Sequence, residues 1–172
     1  CPQLKTSHRR LKTLLQRAQK LPGVKKVLTN SGIRYDLALL DPEYMEQVFA
    51  HHIGGQLSVA PEHICDTVLK VMNKPGIKLY EEFLQAFRQY NKQQGLRQYI
   101  VPYFIASHPG TTLNDMLELA LYLKRNHIKV EQVQNFTPTP MTIATTMYYT
   151  GIDPFTKVER VFNQVKEEYE GQ

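Results

Sequence analysis

Apolar residues recur at helical spacing almost from the first residue. Leu4, Leu11, Leu14, Leu15, Ala18 and Leu21 predict an amphipathic helix over residues 4–20, ended by Pro22-Gly23. Val24 to Thr29 reads as a short strand, with Asn30-Ser31-Gly32 as the turn after it. Asp41-Pro42-Glu43 is a helix start: an acid to cap, proline at the first position and an acid in the first turn. That helix runs to about His52 and stops at Gly54-Gly55. Gln56 to Ala60 follows as a strand, and Ile64 to Met72 as a short helix broken by Lys74-Pro75-Gly76. Leu79 to Gln94 is a long helix ending at Gly95, and Gln98 to Ala106, rich in Tyr, Ile, Val and Phe, is the clearest strand. Thr112 and Asp115 set a capping-box pattern at the head of a helix over 113–126. Val130 to Gln134 is a fourth strand, Phe136 to Pro140 a loop, 141–149 a helix, and Asp153-Pro154 the start of a last one.

A helix followed by four strand–loop–helix repeats predicts an α/β fold with a parallel sheet and right-handed crossovers. Four strands make half a barrel or a small open sheet, since they cannot close a barrel alone. A parallel strand covered on both faces reads as a continuous apolar run, yet two of these strands alternate. Gln56, Ser58, Ala60 and Glu62 oppose Leu57 and Val59, and Gln132 and Gln134 oppose Val133. With the apolar face against helices, the polar face either lines a ligand-holding lumen or is a sheet edge in water.

The 172 residues carry 21 Lys+Arg against 16 Asp+Glu, a formal charge of +5, with 42% hydrophobic and 10% aromatic residues. That composition excludes a disordered chain, and the length suits one domain with a real core. No apolar run is long enough to cross a membrane as a helix. The opening is polar and basic, without the apolar stretch of a signal peptide. Residue 1 is Cys rather than Met and a helical pattern begins at once, which reads as a piece of a longer protein. Cys1 and Cys65 are too few for a disulfide framework or a four-ligand zinc site, and their scarcity fits a reducing, cytoplasmic setting. His8-Arg9-Arg10, Lys12, Arg17, Lys20, Lys25 and Lys26 form a basic cluster that suits phosphate or nucleic acid. No aromatic base-stacking platform is interleaved with it, so a solvated helix face is the favoured reading.

Ligands of parallel α/β folds bind at the carboxyl ends of the strands, and those ends are polar here. They carry Asn30 to Asp36, Ala60-Pro61-Glu62-His63, Ser107 to Thr112 and Asn135 to Pro140. Arg34 either forks onto a ligand carboxylate or phosphate, or pairs with Asp36. Glu62 either accepts from a ribose or amino group, or caps the helix after it. His63 and His108 suit acid–base or metal-ligand roles, although no helical ligand spacing accompanies them. The turn from His108 to Thr112 either offers free N–H groups to an anion or is a plain capped turn, and Cys65 reads as a buried structural thiol.

Taken together, several runs resemble the YgiQ-type radical SAM proteins, a largely uncharacterised branch of that superfamily. They are Ser31-Gly32-Ile33-Arg34-Tyr35-Asp36-Leu37-Ala38, Ala60-Pro61-Glu62-His63, Met72-Asn73-Lys74-Pro75-Gly76, Pro102 to Thr112, Val133 to Met141 and Ala144-Thr145-Thr146-Met147-Tyr148. The resemblance covers residues 1 to about 155, leaving 156–172 as a C-terminal extension, expected to be helical. It implies a partial (β/α)6 barrel of which this chain supplies roughly the third to sixth strands. It also implies a four-iron four-sulfur cluster on a C-x-x-x-C-x-x-C loop, and reductive cleavage of S-adenosylmethionine to a 5′-deoxyadenosyl radical. The three-cysteine motif is absent, so this chain holds no cluster by itself, is expected to be inactive alone, and needs the first half of the barrel as its partner.

By the same resemblance, Glu62 is the candidate for the ribose or methionine moiety and Lys74 for the methionine carboxylate. Ser107 and His108 lie in the stretch expected against adenine, and Arg34 and Phe136 complete the S-adenosylmethionine set. The substrate is unknown and no membrane contact is implied. The rival readings are a small α/β module for a phosphorylated ligand at the His-Pro-Gly-Thr turn, and a nucleic-acid-binding domain using Arg9, Arg10 and Arg17.

Overall fold

The computed structural model describes residues 3–130 and 132–157; the predicted extension therefore lies, from residue 158 on, outside the described residues. Ten elements follow one another: α1 (Arg9–Gln19), α2 (Tyr35–Ala38), α3 (Pro42–His51), β1 (Gln56–Glu62), α4 (Asp66–Val71), α5 (Ile77–Gln94), β2 (Tyr99–Ala106), α6 (Leu113–Arg125), β3 (Gln132–Asn135) and α7 (Ile143–Thr150). The sheet has three strands in the order β1-β2-β3, with β2 and β3 parallel and Tyr103 opposite Gln132, Ala106 opposite Asn135. The fold is α/β with a parallel sheet, one strand short of the sequence expectation.

The missing strand is Val24 to Thr29, which joins no ladder. Its polar groups are taken by His52: the Val27 carbonyl meets the ring Nδ1 at 2.7 Å, and the Thr29 N–H donates to the His52 carbonyl. Among the described residues, a single parallel bridge at Ile33, whose N–H donates to the Ser58 carbonyl, is all that flanks β1 on that side. Gly32 lies close enough to Ser58 that an added Cβ would meet its carbonyl oxygen at 3.4 Å.

Helix starts follow the capping signals. The Asp41 side chain accepts from the Tyr44 N–H at 3.1 Å with Pro42 at the first position, and Thr112 and Asp115 make a reciprocal capping box. α5 ends before Gly95, whose φ of +62° suits glycine. α1 is shorter than its apolar pattern and buries no residue.

The chain divides into two compact units, Cys1–Ala60 with Lys78–Val101, and Pro61–Ile77 with Pro102–Gln172. The first packs an aromatic cluster: Phe49 meets Phe83 and Phe87 edge-on at 5.8 and 5.1 Å, and Tyr35 meets Tyr80 at 5.7 Å. Edge-to-face geometry adds to the burial of large rings. The second has a smaller aliphatic core of Val68, Leu69, Phe104, Leu119 and Met147, and it also buries His63, His108, Thr111 and Asp153. In β1 the alternation read from sequence holds: Leu57 and Val59 are buried while Gln56, Ser58, Ala60 and Glu62 are more open.

Candidate functional site

β1 ends on Glu62 with a φ of +68°, a left-handed conformation that a non-glycine side chain rarely adopts. Its carboxylate meets the Lys74 ammonium, Oε1 to Nζ, at 3.1 Å, while Oε2 is buried without a hydrogen-bond partner. Lys74 reaches the strand end because α4 is short and the chain turns back straight after it. Asn73 adopts a φ of +54° and the Lys74 N–H donates to the Leu69 carbonyl at 2.8 Å. The Met72-to-Gly76 run is thus a turn that returns a cation to the carboxyl end of β1.

His63, the next residue, is fully buried. The Cys65 N–H donates to its Nδ1 at 3.0 Å, which requires a lone pair there and puts the proton of the neutral ring on Nε2. That Nε2 has no hydrogen-bond partner. Burial pushes the imidazole down to about 4, helped by His108 and opposed by the Asp115 charge, so the ring is neutral at pH 7. Burial and the nearby Asp115 push the Cys65 thiol up to about 11, which keeps it protonated and fits the structural role read from sequence.

Past β2, Ser107 is left-handed at a φ of +58° and delivers His108, also buried. Its Nδ1 lies 2.9 Å from the Pro109 carbonyl, which makes Nδ1 the donor and Nε2 the accepting atom of the neutral ring. Burial lowers its pKa against that hydrogen bond. Phe136 stands edge-on to the His108 ring at 5.2 Å, held by its N–H donating to the Ala106 carbonyl, and Tyr148 packs behind it. Thr111 is buried with its hydroxyl unpartnered.

The anion reading of this turn meets a carboxylate already in place. Asp115 accepts from the Thr112 N–H at 2.9 Å and from the Thr112 hydroxyl at 2.7 Å. Burial raises its pKa, but those bonds outweigh it and hold the carboxyl below its ordinary value. A phosphate at the head of α6 would face that charge. Of the basic cluster, His8 stacks on Tyr44 at 4.0 Å, and Lys12 pairs with Asp41 at 3.0 Å and Glu43 at 2.9 Å, so part of it serves the fold.

The comparisons with known proteins point one way. The chain is 56% identical over 156 residues to a UPF0313 protein of Methanosarcina acetivorans, covering 91% of this chain and 21% of the relative. It is 48% identical over 158 residues to the UPF0313 protein YgiQ of Salmonella typhimurium, covering 92% and 22%. The chain belongs to the UPF0313 family. It spans about a fifth to a quarter of the length of the curated relatives it matches. Residues 131–168 also match a family model described as a domain of unknown function, DUF3362.

Within this UPF0313 chain the candidate residues separate. Glu62 pairs with Lys74, and Ser107, His108 and Phe136 adjoin one another; all belong to the second unit. Arg34 belongs to the first unit and forks onto Asp36, Nε to Oδ1 at 2.8 Å and Nη2 to Oδ2 at 2.5 Å, the loop-ordering alternative. His63 and Thr111 are what the candidate set lacks. His63 was visible as a possible acid or base, but only its place one residue past the alternating β1 pattern, beyond buried Pro61, signals burial. No helix is long and apolar enough to cross a membrane, and no group of three or more His, Cys, Asp or Glu is placed to hold a metal ion, among the described residues.

Proposed function

We propose that this chain supplies part of the cofactor-binding side of a cytoplasmic radical SAM enzyme, built as the later βα units of a partial barrel. One observation carries the reading: an acid and a base paired at the carboxyl end of a parallel strand, with the Glu62 Oε2 buried and unpartnered. That orphaned acceptor fits an ammonium or hydroxyl donor, and Lys74 beside it fits a carboxylate, the two kinds of group that S-adenosylmethionine carries. His108 and Phe136 give an aromatic wall, and the neutral His108 Nε2 accepts a hydrogen bond without bringing charge to it.

The iron–sulfur cluster does not fit this chain. The sequence has two cysteines, and Cys65 keeps its proton. The cluster ligands are assigned to the part of the relatives' length that this chain does not span. When bound together, cluster and S-adenosylmethionine would supply a 5′-deoxyadenosyl radical. This chain's residues bind and orient: Glu62 accepts, Lys74 neutralises, and the Ser107-His108 turn walls. On the side of β1 away from β2, the described residues supply one isolated bridge at Ile33, which supports further strands of the parent docking there.

The test is 5′-deoxyadenosine release from S-adenosylmethionine by the full-length protein, reconstituted anaerobically with iron and sulfide and reduced with dithionite. Release that is lost on replacing cysteines outside this chain, and weakened by Glu62→Gln, is the expected result. A protein that forms no cluster and releases no deoxyadenosine overturns the reading.

A further inference from the structure

The Glu62–Lys74 pair joins a strand end to a turn twelve positions later, across a helix of six residues, α4. The turn is tied at its entrance by the Lys74 N–H bond to the Leu69 carbonyl. Its exit is tied by a side chain: the Ile77 N–H donates to Asp66 Oδ1 at 3.0 Å. Asp66 is the first residue of α4 and Ile77 the first of α5, so one carboxylate bridges the two helix starts on either side of Lys74.

The chemistry favours this tie. Ile77 presents one of the N–H groups that a helix start cannot satisfy internally, and an acid there also suits the dipole of an 18-residue helix. Gly76 leaves room for it: a Cβ at that position would meet Asp66 Oδ1 at 3.0 Å, so a side chain there would make the carboxylate shift by a few tenths of an ångström and strain its bond. Pro75 and Gly76 therefore give the turn a stiff exit and an open one, in that order.

We propose that Asp66 is a positioning residue: its bond to the Ile77 N–H fixes the turn that holds Lys74 against Glu62. The ligand chemistry at the pair rests on the function proposed above; the clasp itself does not. A mere helix cap would lend stability and leave Lys74 where it is. The clasp ties the two together.

The experiment reads both in the full-length protein. Competitive acylation followed by mass spectrometry gives the reactivity of Lys74 relative to exposed Lys70, with no ligand present. Asp66→Ala is expected to raise that ratio at least about threefold, since an amine released from an ion pair reacts faster. It is also expected to weaken S-adenosylmethionine binding, by equilibrium dialysis, about tenfold. Asp66→Asn keeps an accepting oxygen and should restore both readouts, and Gly76→Ala should move both in the direction of Asp66→Ala by less. A lower melting temperature with an unchanged Lys74 ratio makes Asp66 a helix cap only and overturns the inference. A raised ratio in a protein whose wild type binds no S-adenosylmethionine leaves the clasp standing and sinks the proposed function instead.

Discussion

Each unit buries a histidine completely, His52 in the first and His63 in the second. His52 is used up by its surroundings: Nδ1 lies 2.7 Å from the Val27 carbonyl and Nε2 3.3 Å from the Gln47 amide nitrogen, a donor and an acceptor both served. His63 has one nitrogen served and the other buried without a partner. An orphaned buried N–H costs about 1–3 kcal/mol. The contrast belongs to these two side chains rather than to whole units, since the first unit also buries His8 Nδ1 and Gln98 Oε1 without a hydrogen-bond partner. The first surrounds aromatic rings and commits polar side chains such as Lys12, Asp41 and Gln47 to its own contacts. The second carries Glu62, His63 and Thr111, each with an uncommitted buried atom, at the strand ends. What sets the second unit apart is where its uncommitted atoms lie, at and just past strand ends, where parallel α/β folds bind ligands.

The largest expected effect breaks the scaffold side of that contrast. Phe83 is fully buried and touches Tyr35 and Phe49. Phe83→Ala should cost about 3–5 kcal/mol in urea unfolding, the range for removing a buried ring. Affinity for S-adenosylmethionine, corrected for the folded fraction, should not change. If affinity falls with stability intact, the first unit is not mere scaffold.

Glu62→Gln sharpens the other side. It keeps the shape and one oxygen but removes the charge that Lys74 and a bound donor share. Losing a charge-assisted hydrogen bond of about 2 kcal/mol corresponds to about thirtyfold weaker S-adenosylmethionine binding. The urea midpoint should move little, because both side chains keep some contact with water. Unchanged affinity would remove Glu62 from the site.

The parts of this arrangement legible in sequence were those with local causes. Asp41-Pro42 and Thr112 with Asp115 announce helix starts because capping needs only neighbours. β1 announces its faces because side chains alternate with period two. The strand at Val24 to Thr29 misled because its partner is decided from a distance: His52, 25 residues from Val27, claims the carbonyl a ladder would use. The strand-end residues Glu62, Ser107 and His108 are visible as chemistry, yet the positive φ of Glu62 and Ser107 and the burial of His108 are not. Lys74 was reached by resemblance, whereas the role of Asp66 depends on a contact with Ile77 that no spacing rule encodes.

A pH titration gives the next effect in size and turns on His63. Its pKa is lowered from 6.5 to about 4 in the fold, so between those values the unfolded chain binds the extra proton. Stability is therefore full above about pH 6.5, falls as pH drops towards 4 and levels off below it, by on the order of 2 kcal/mol. His108, lowered by burial, adds in the same direction. Asp36 and Asp115, with carboxyls held below 3.8, contribute losses only at more acid pH, which separates the two windows. Urea midpoints at pH 7 and 4.5 should differ in wild type and differ clearly less in His63→Gln, with His108 supplying the remainder. A variant as pH-sensitive as wild type would assign the slope elsewhere.

The smallest effect concerns Arg34, the candidate that the structure sets apart. Its guanidinium is 63% exposed and forks onto Asp36 two positions along. Hydrogen bonding from Arg34 is the main reason the Asp36 carboxyl lies below its ordinary value. Water screens such an exposed pair, so Arg34→Ala should change stability by no more than about 0.5 kcal/mol. With its Nε and Nη2 held by Asp36 in its own loop, Arg34 is not expected to serve the ligand, so S-adenosylmethionine affinity should stay at the wild-type value. The opposite result, a binding loss of tenfold or more (about 1.4 kcal/mol) with the fold intact, would mean that Arg34 leaves Asp36 for the ligand. The first unit would then hold binding chemistry of its own.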